Sequence, residues 1–350
     1  FSQERGQWFA ADRLAAAAVE RLALTSEISY LAMAREQLAT YAEQCGFQQQ
    51  ALRQRQLAEE LYQRLPASPT TANLRAYNQL QLAAAEMADG DAEAARAELA
   101  RFKADQPAVV SMQARALPYF TLRGQWDLEQ QHLPQAEAEL RTALAIRESD
   151  LSTLTSDEDR LGWEEANLDV YRDWVEVEWR AHQDPAAALE YWEWARGAAV
   201  RASRPLPAAF LAAARHLDAT GAPALPQPHL VRAALAALTS AQVVSYDLRS
   251  DHLLLWIFDN RGVHSARVAL SGPALESEAH AFATACSDPA SDPRLLHTLA
   301  RQLYSRLLQP VAAWLDPARL LIVEPDGALA QVPFAALRAP DGQVLAQPVL

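Results

Sequence analysis

From Phe1 to about Arg204, apolar residues recur at i, i+3, i+4 and i+7 in windows broken only by short polar turns. That period lays an apolar stripe along one helix face, so the pattern predicts helices throughout this region. Between Pro205 and Pro228 the texture changes: Pro205, Pro207, Pro223, Pro226 and Pro228 bracket a short helix carrying Phe210, Leu211 and Leu217, and mark the expected domain boundary. After a helix from about Leu230 to Leu238 the period switches to two. Val243 to Asp247, His252 to Phe258 and Val263 to Leu270 read as strands, joined by Arg249-Ser250-Asp251 and Asp259-Asn260-Arg261-Gly262. Amphipathic helices follow over roughly Ala274 to Cys286 and Pro293 to Leu308, then a short one near Val311 to Leu315. Leu320 to Val323 reads as a fully buried strand closed by Pro325-Asp326-Gly327, and Pro333 opens a tight turn that sends Phe334 and Leu337 to one side. The expected architecture is multidomain: all-α over 1–204, a Pro-rich linker with a short helix over 205–229, and the opening of an α/β sheet domain over 230–350.

A spaced motif repeats within the helical region. Asp89-Gly90-Asp91 leads to Ala95, to Leu99 four residues later, to Phe102 three after that, and to Pro107, which is the back half of a tetratricopeptide (TPR) pattern. Gln131-His132-Leu133 ahead of Ala136, Leu140 and Ala143 echoes it. So do Gln183-Asp184-Pro185 ahead of Ala188, Trp192 and Ala195, and Gly46-Phe47 ahead of Ala51 and Ala58. The small residue of each unit allows close helix approach and the large one fills the groove between hairpins. The anchors Ala51, Ala95, Ala136 and Ala188 stand 44, 41 and 52 residues apart. A regular array repeats at about 34 residues, so an irregular TPR-like α-solenoid with extended helices is expected.

Composition narrows the function. With 350 residues, half of them apolar, and only 11 glycines, the chain fits about two helix-rich domains. A formal charge of −13 with no basic stripe argues against nucleic acid or an anionic membrane as partner. Cys45 and Cys286 are too few and too far apart for a disulfide framework or a zinc site, which fits a reducing, cytoplasmic setting. No apolar run is long enough to span a bilayer, and no Gly-rich phosphate loop, HExxH or CxxC pair occurs, so no cofactor or metal is expected. Phe1 is not a methionine and Leu350 ends an apolar run, so both termini read as cuts in a longer chain.

The helical hairpins followed by this α/β opening resemble the TPR-CHAT family, in which a caspase-like CHAT domain follows TPR repeats. Leu321-Ile322-Val323, Pro325-Asp326-Gly327, Pro333-Phe334 and Leu337 carry the resemblance. Leu254-Leu255-Trp256, the Asp292 to Leu308 helix ending in Leu-Leu-Gln-Pro, and Tyr191 to Arg201 support it. Glu324 departs from the pattern, since many relatives run from Val directly to Pro-Asp-Gly, and reads as lengthening the turn. The resemblance implies a cysteine peptidase in which a histidine activates a cysteine thiolate. It places both residues C-terminal to the Pro-Asp-Gly and Pro-Phe segments, beyond Leu350, so no catalytic residue is assigned here.

The resemblance therefore implies the regulatory, non-catalytic portion of a caspase-like endopeptidase. Its solenoid would sense a protein or peptide partner and control proteolysis, in settings that include bacterial defence, and its sheet would be completed by the C-terminal half of CHAT. The alternative is a non-enzymatic TPR scaffold whose degenerate CHAT region serves assembly. Cys286 with His280 or His297 is the tempting local dyad, yet Cys286 ends a helix, where a small Cys is ordinarily packing. Cys45 sits at a hairpin turn, and His252 beside Asp251 reads as a solvated turn residue. Ser156-Asp157-Glu158-Asp159 reads as a helix cap with acidic residues in the first turn rather than a cation site. Of Trp174, Trp179, Trp192 and Trp194, which could line a peptide groove, Trp192 falls at the large-residue position and is expected in the core.

Overall fold

The computed structural model describes residues 2–105, 113–198, 228–339 and 348–349, together with 209, 210 and 225. The linker prolines other than Pro228, the Leu211 to Leu217 segment, Pro107 and the run from Leu345 lie wholly or largely outside these residues. The chain forms two compact units. Helices before residue 160 make one; helices from Arg160 to residue 198, with the sheet that follows, make the other.

The first unit contains α1 (Ser2–Leu22), α2 (Ile28–Gln44), α3 (Gln48–Tyr62), α4 (Pro69–Ala88), α5 (Ala92–Asp105), α6 (Gln113–Glu129) and α7 (Leu133–Leu151). Consecutive helices pack on one another. The anchors Ala51, Ala95 and Ala136 are fully buried, as are Phe102, seven positions after Ala95, and Leu140, four after Ala136. Close approach is visible at Gly124 of α6, where a Cβ would meet Leu140 Cδ2 of α7 at 2.7 Å.

One local device recurs at each hairpin. Gly46, Gly90, Gln131 and Gln183 adopt positive φ, five residues before Ala51, Ala95, Ala136 and Ala188 respectively. In the first three, the next N–H closes the helix end: Phe47 donates to Ala42 O (2.8 Å), Asp91 to Glu86 O (2.9 Å) and His132 to Asp127 O (2.8 Å). This is a left-handed helix terminator that satisfies orphan carbonyls. The fourth turn is one residue longer, with Asp184 N donating to Glu178 O at 3.0 Å.

The second unit begins with α8 (Asp157–Arg180) and α9 (Pro185–Arg196), whose N-cap Asp184 accepts from the N–H groups of Ala186 and Ala187. After α10 (Leu230–Leu235) come β1 (Ala241–Leu248), β2 (His252–Asp259), β3 (Gly262–Ala269), α11 (Gly272–Ser287), α12 (Pro293–Leu307), a 3-10 turn, β4 (Leu320–Glu324) and the two-residue β5 (Pro348–Val349). The period-two segments are the strands. Their order is β3-β2-β1-β4-β5, antiparallel through β3-β2-β1 and parallel for β1-β4 and β4-β5. Sequence pattern groups α8 and α9 with the preceding helices, whereas packing groups them with the sheet.

The two sheet faces differ in chemistry. Val244, Tyr246, Leu253, Leu255, Ile257, Leu321 and Val323 point into an apolar core with Leu275, Phe282, Leu303 and Leu307 of α11 and α12. The alternate residues Ser245, Asp247, His252, Trp256 and Glu324 meet α8 and α9 instead. The β4 segment is therefore not fully buried: Leu320 is 41% exposed, while Leu321 and Val323 are buried. Burial on one face only is what strand alternation gives when the other face meets a polar layer.

Candidate functional site

The Pro325-Asp326-Gly327 turn lies at the C-terminal ends of the parallel strands β1 and β4, the end at which open α/β sheets carry their sites. Gly327 takes a φ of +52°, and the chain then makes two short 3-10 turns, Gly327–Gln331 and Phe334–Ala336. Leu329, Val332, Phe334 and Leu337 all enter the apolar core, so Phe334 and Leu337 do face one side, with the Phe334 ring 5.9 Å from that of Tyr246.

Arg172 of α8 holds this turn. Its Nη1 donates to Asp247 Oδ1 (2.5 Å), Leu248 O (2.9 Å) and Asp326 Oδ2 (2.9 Å), and its Nη2 to Asp326 Oδ1 (2.9 Å). Asp326 Oδ2 also accepts from Leu248 N at 2.8 Å. The guanidinium lies 4.9 Å over the ring of Trp192, which donates from Nε1 to Tyr246 O at 3.0 Å. Arg249 donates to Asp247 Oδ2 (2.8 Å) and to the carbonyl of Arg172. Bidentate Arg–carboxylate geometry fixes orientation as well as distance.

Further along α8, Glu176 Oε1 meets His252 Nε2 at 2.6 Å while Asp251 Oδ1 meets His252 Nδ1 at 2.6 Å. Both ring nitrogens therefore face carboxylate oxygens, and Arg267 Nη2 also approaches Nδ1 at 3.3 Å. Burial would raise Glu176, but the His252 hydrogen bond and the neighbouring Arg249 hold it below the usual carboxylate range. His252 is thus no solvated turn residue: it is 6% exposed, because its partner arrives from a helix 76 residues upstream.

Glu324 is also misread by local pattern. It is the last residue of β4, paired with Ser245, rather than an extension of the turn. Ser245 Oγ donates to Glu193 Oε1 of α9 at 2.7 Å, and Arg196 Nη1 lies 3.6 Å from Glu193 and 4.0 Å from Glu324. One guanidinium therefore serves two carboxylates. Burial, then the like charge of Glu193, raise Glu324 to about 7, and burial raises Glu193 as well.

The remaining candidates are dispersed. Cys286 is exposed on the last turn of α11, and desolvation pushes its thiol up, away from the thiolate a nucleophile needs. His280 shares that helix but stands six residues away, about 240° around it at 100° per residue, and its Nδ1 is 3.4 Å from Gln331 Oε1. His297 is exposed on α12, and among the described residues no hydrogen bond joins Cys286 to either histidine. Cys45 is half-buried, its thiol likewise raised by burial. Ser156 caps α8: its Oγ accepts from Asp159 N at 3.0 Å and donates to the Asp159 carboxylate, and no metal-binding group of His, Cys, Asp or Glu occurs among the described residues.

The tryptophans are largely committed to packing. Trp192 is fully buried, Trp174 is buried with its ring 5.7 Å from Tyr191, and Trp179 packs edge-on to Trp256, whose Nε1 donates to Pro185 O. Trp194 is half-buried. A cavity of about 380 Å³ lies at the opposite ends of the strands, beside His264, Trp314 and Asp316. Its polar wall is already satisfied, since Gln242 donates to Asp259 and to Trp314 O, and Asp259 also pairs with Arg261 and Arg319.

No described helix is long and apolar enough to cross a membrane. No curated protein matches the chain. Residues 297–349, which take in α12, β4, the Pro-Asp-Gly turn and β5, match the CHAT domain family model, so this part of the chain is similar to a caspase-like domain.

Proposed function

We propose that this chain is the regulatory, non-catalytic portion of a TPR-CHAT caspase-like cysteine endopeptidase. The observation that carries the reading is the CHAT match at 297–349, falling on a strand and turn that sit at the C-terminal ends of parallel strands. The recurring helical hairpins support a TPR-like solenoid that senses a protein partner in the cytoplasm and governs proteolysis, as the family resemblance implies. The histidine and cysteine of that resemblance belong C-terminal to the Pro-Asp-Gly and Pro-Phe segments, and the chain's own cysteines stay out of the chemistry.

The test is a peptidase assay with casein and a fluorogenic peptide pool, run on residues 1–350 alone and on the same residues extended by the C-terminal half of CHAT. The expected outcome is cleavage only from the extended protein. Cleavage by residues 1–350 that disappears in Cys286→Ser would overturn the assignment. An inert extended protein that still captures a partner would favour the non-enzymatic scaffold.

A further inference from the structure

Three features of the sheet unit belong together. The helix pair α8–α9 packs Trp179 on Trp256 of the sheet and adds a set of directional contacts: Arg172 to Asp247 and Asp326, Glu176 to His252, and Glu193 to Ser245. The opposite face is joined to α11 and α12 by apolar packing. Apolar contact tolerates small slides because it is non-directional, whereas hydrogen-bonded ion pairs weaken steeply when geometry is lost. The two layers must therefore answer a displacement differently.

Arg172 is where that difference reaches the turn. Asp247 is fully buried and Asp326 nearly so, and both share the one guanidinium, with Arg249 as the second cation on Asp247. Withdrawing Arg172 leaves Asp326 a buried carboxylate held, among the described residues, by Leu248 N. An unpaired buried carboxylate is costly, and the turn relieves the cost by moving to water. At the α9 end Arg196 lies between Glu193 of the hairpin and Glu324 of β4, a second polar contact across the same interface.

We propose that the α8–α9 hairpin is a movable regulatory layer of the sheet domain, and that Arg172 is the positioning residue through which its attachment sets the Pro325-Asp326-Gly327 turn. Release of the hairpin frees the turn while the apolar face stays closed. This goes beyond the proposed function and requires no peptidase activity.

Hydrogen exchange of residues 1–350, read by mass spectrometry, tests it. In Arg172→Met, peptides over 160–196 and 324–331 should exchange roughly tenfold faster together, while β2 and α12 keep their protection. Arg172→Lys should recover only part of the protection, because a point charge cannot reproduce the fork. Adding Asp326→Asn to Arg172→Met should change little further, since the two act through one contact. Native-state exchange of the unaltered protein in low denaturant gives the same answer without a variant: the hairpin and turn should open as one unit before the sheet. A turn that stays protected when the hairpin opens, or a hairpin that opens only with β2 and α12, overturns the proposal.

Discussion

Glu324 is a carboxyl whose protonation the fold controls. Burial and the adjacent Glu193 raise it from 4.5 to about 7, so between those values the folded protein keeps a proton that the unfolded chain has released. The stabilisation is complete below about 4.5 and is lost as pH rises through about 7. Glu36, which accepts from the Tyr62 hydroxyl at 2.7 Å, and Glu86, beside Glu98, are raised to about 7 chiefly by burial and act in the same direction. The melting temperature should therefore fall from pH 5 toward pH 8 on account of these groups, and Glu324→Gln, neutral throughout, should fall less. A Glu324→Gln profile that parallels the parent's would refute a proton held at this site. Sequence alone placed Glu324 beside a turn, where a carboxylate is ordinarily solvated. Only the arrival of Glu193 from another element makes it unusual.

At the scale of elements, the hairpin turn repeats while its sequence does not. Gly46 and Gly90 occupy the left-handed position at no steric cost, but Gln131 and Gln183 hold the same conformation with a Cβ. A non-Gly residue there costs about 1 kcal/mol, so Gln131→Gly and Gln183→Gly should each stabilise the protein by roughly 0.5–1 kcal/mol in denaturant melts. Gly90→Ala should cost a similar amount, and a stabilising Gly90→Ala would show that the turn is not left-handed in solution. The strands were legible because short apolar runs rich in β-formers lie between the turns Arg249-Ser250-Asp251 and Asp259-Asn260-Arg261-Gly262, and the anchor alanines because a buried small residue followed by a buried large one is a spacing signal. Left-handed Gln131 and Gln183 were illegible as such: nothing in glutamine announces positive φ, and only their common distance of five residues to the anchors reveals them.

For the whole molecule, the charge of −13 predicts partners without clustered phosphate. The protein should pass a heparin or DNA column unretained at about 150 mM salt, and salt-sensitive retention would contradict this. Helical periodicity and the period-two switch determined an all-α region followed by a sheet, and the Leu320 to Leu337 stretch pointed to the domain that the family comparison then matched at 297–349. They did so because local pattern encodes which face of an element is apolar. What local pattern cannot encode is the partner that covers that face. Ala188 and Trp192 carry the same spacing as Ala95 and Leu99, yet Trp192 donates its N–H to a strand carbonyl, and its hairpin packs with the sheet. The burial of His252, the raised pKa of Glu324 and the grip of Arg172 on Asp326 were likewise decided only by tertiary structure, because each joins residues far apart in the chain whose charges acquire meaning once they share a low-dielectric interior.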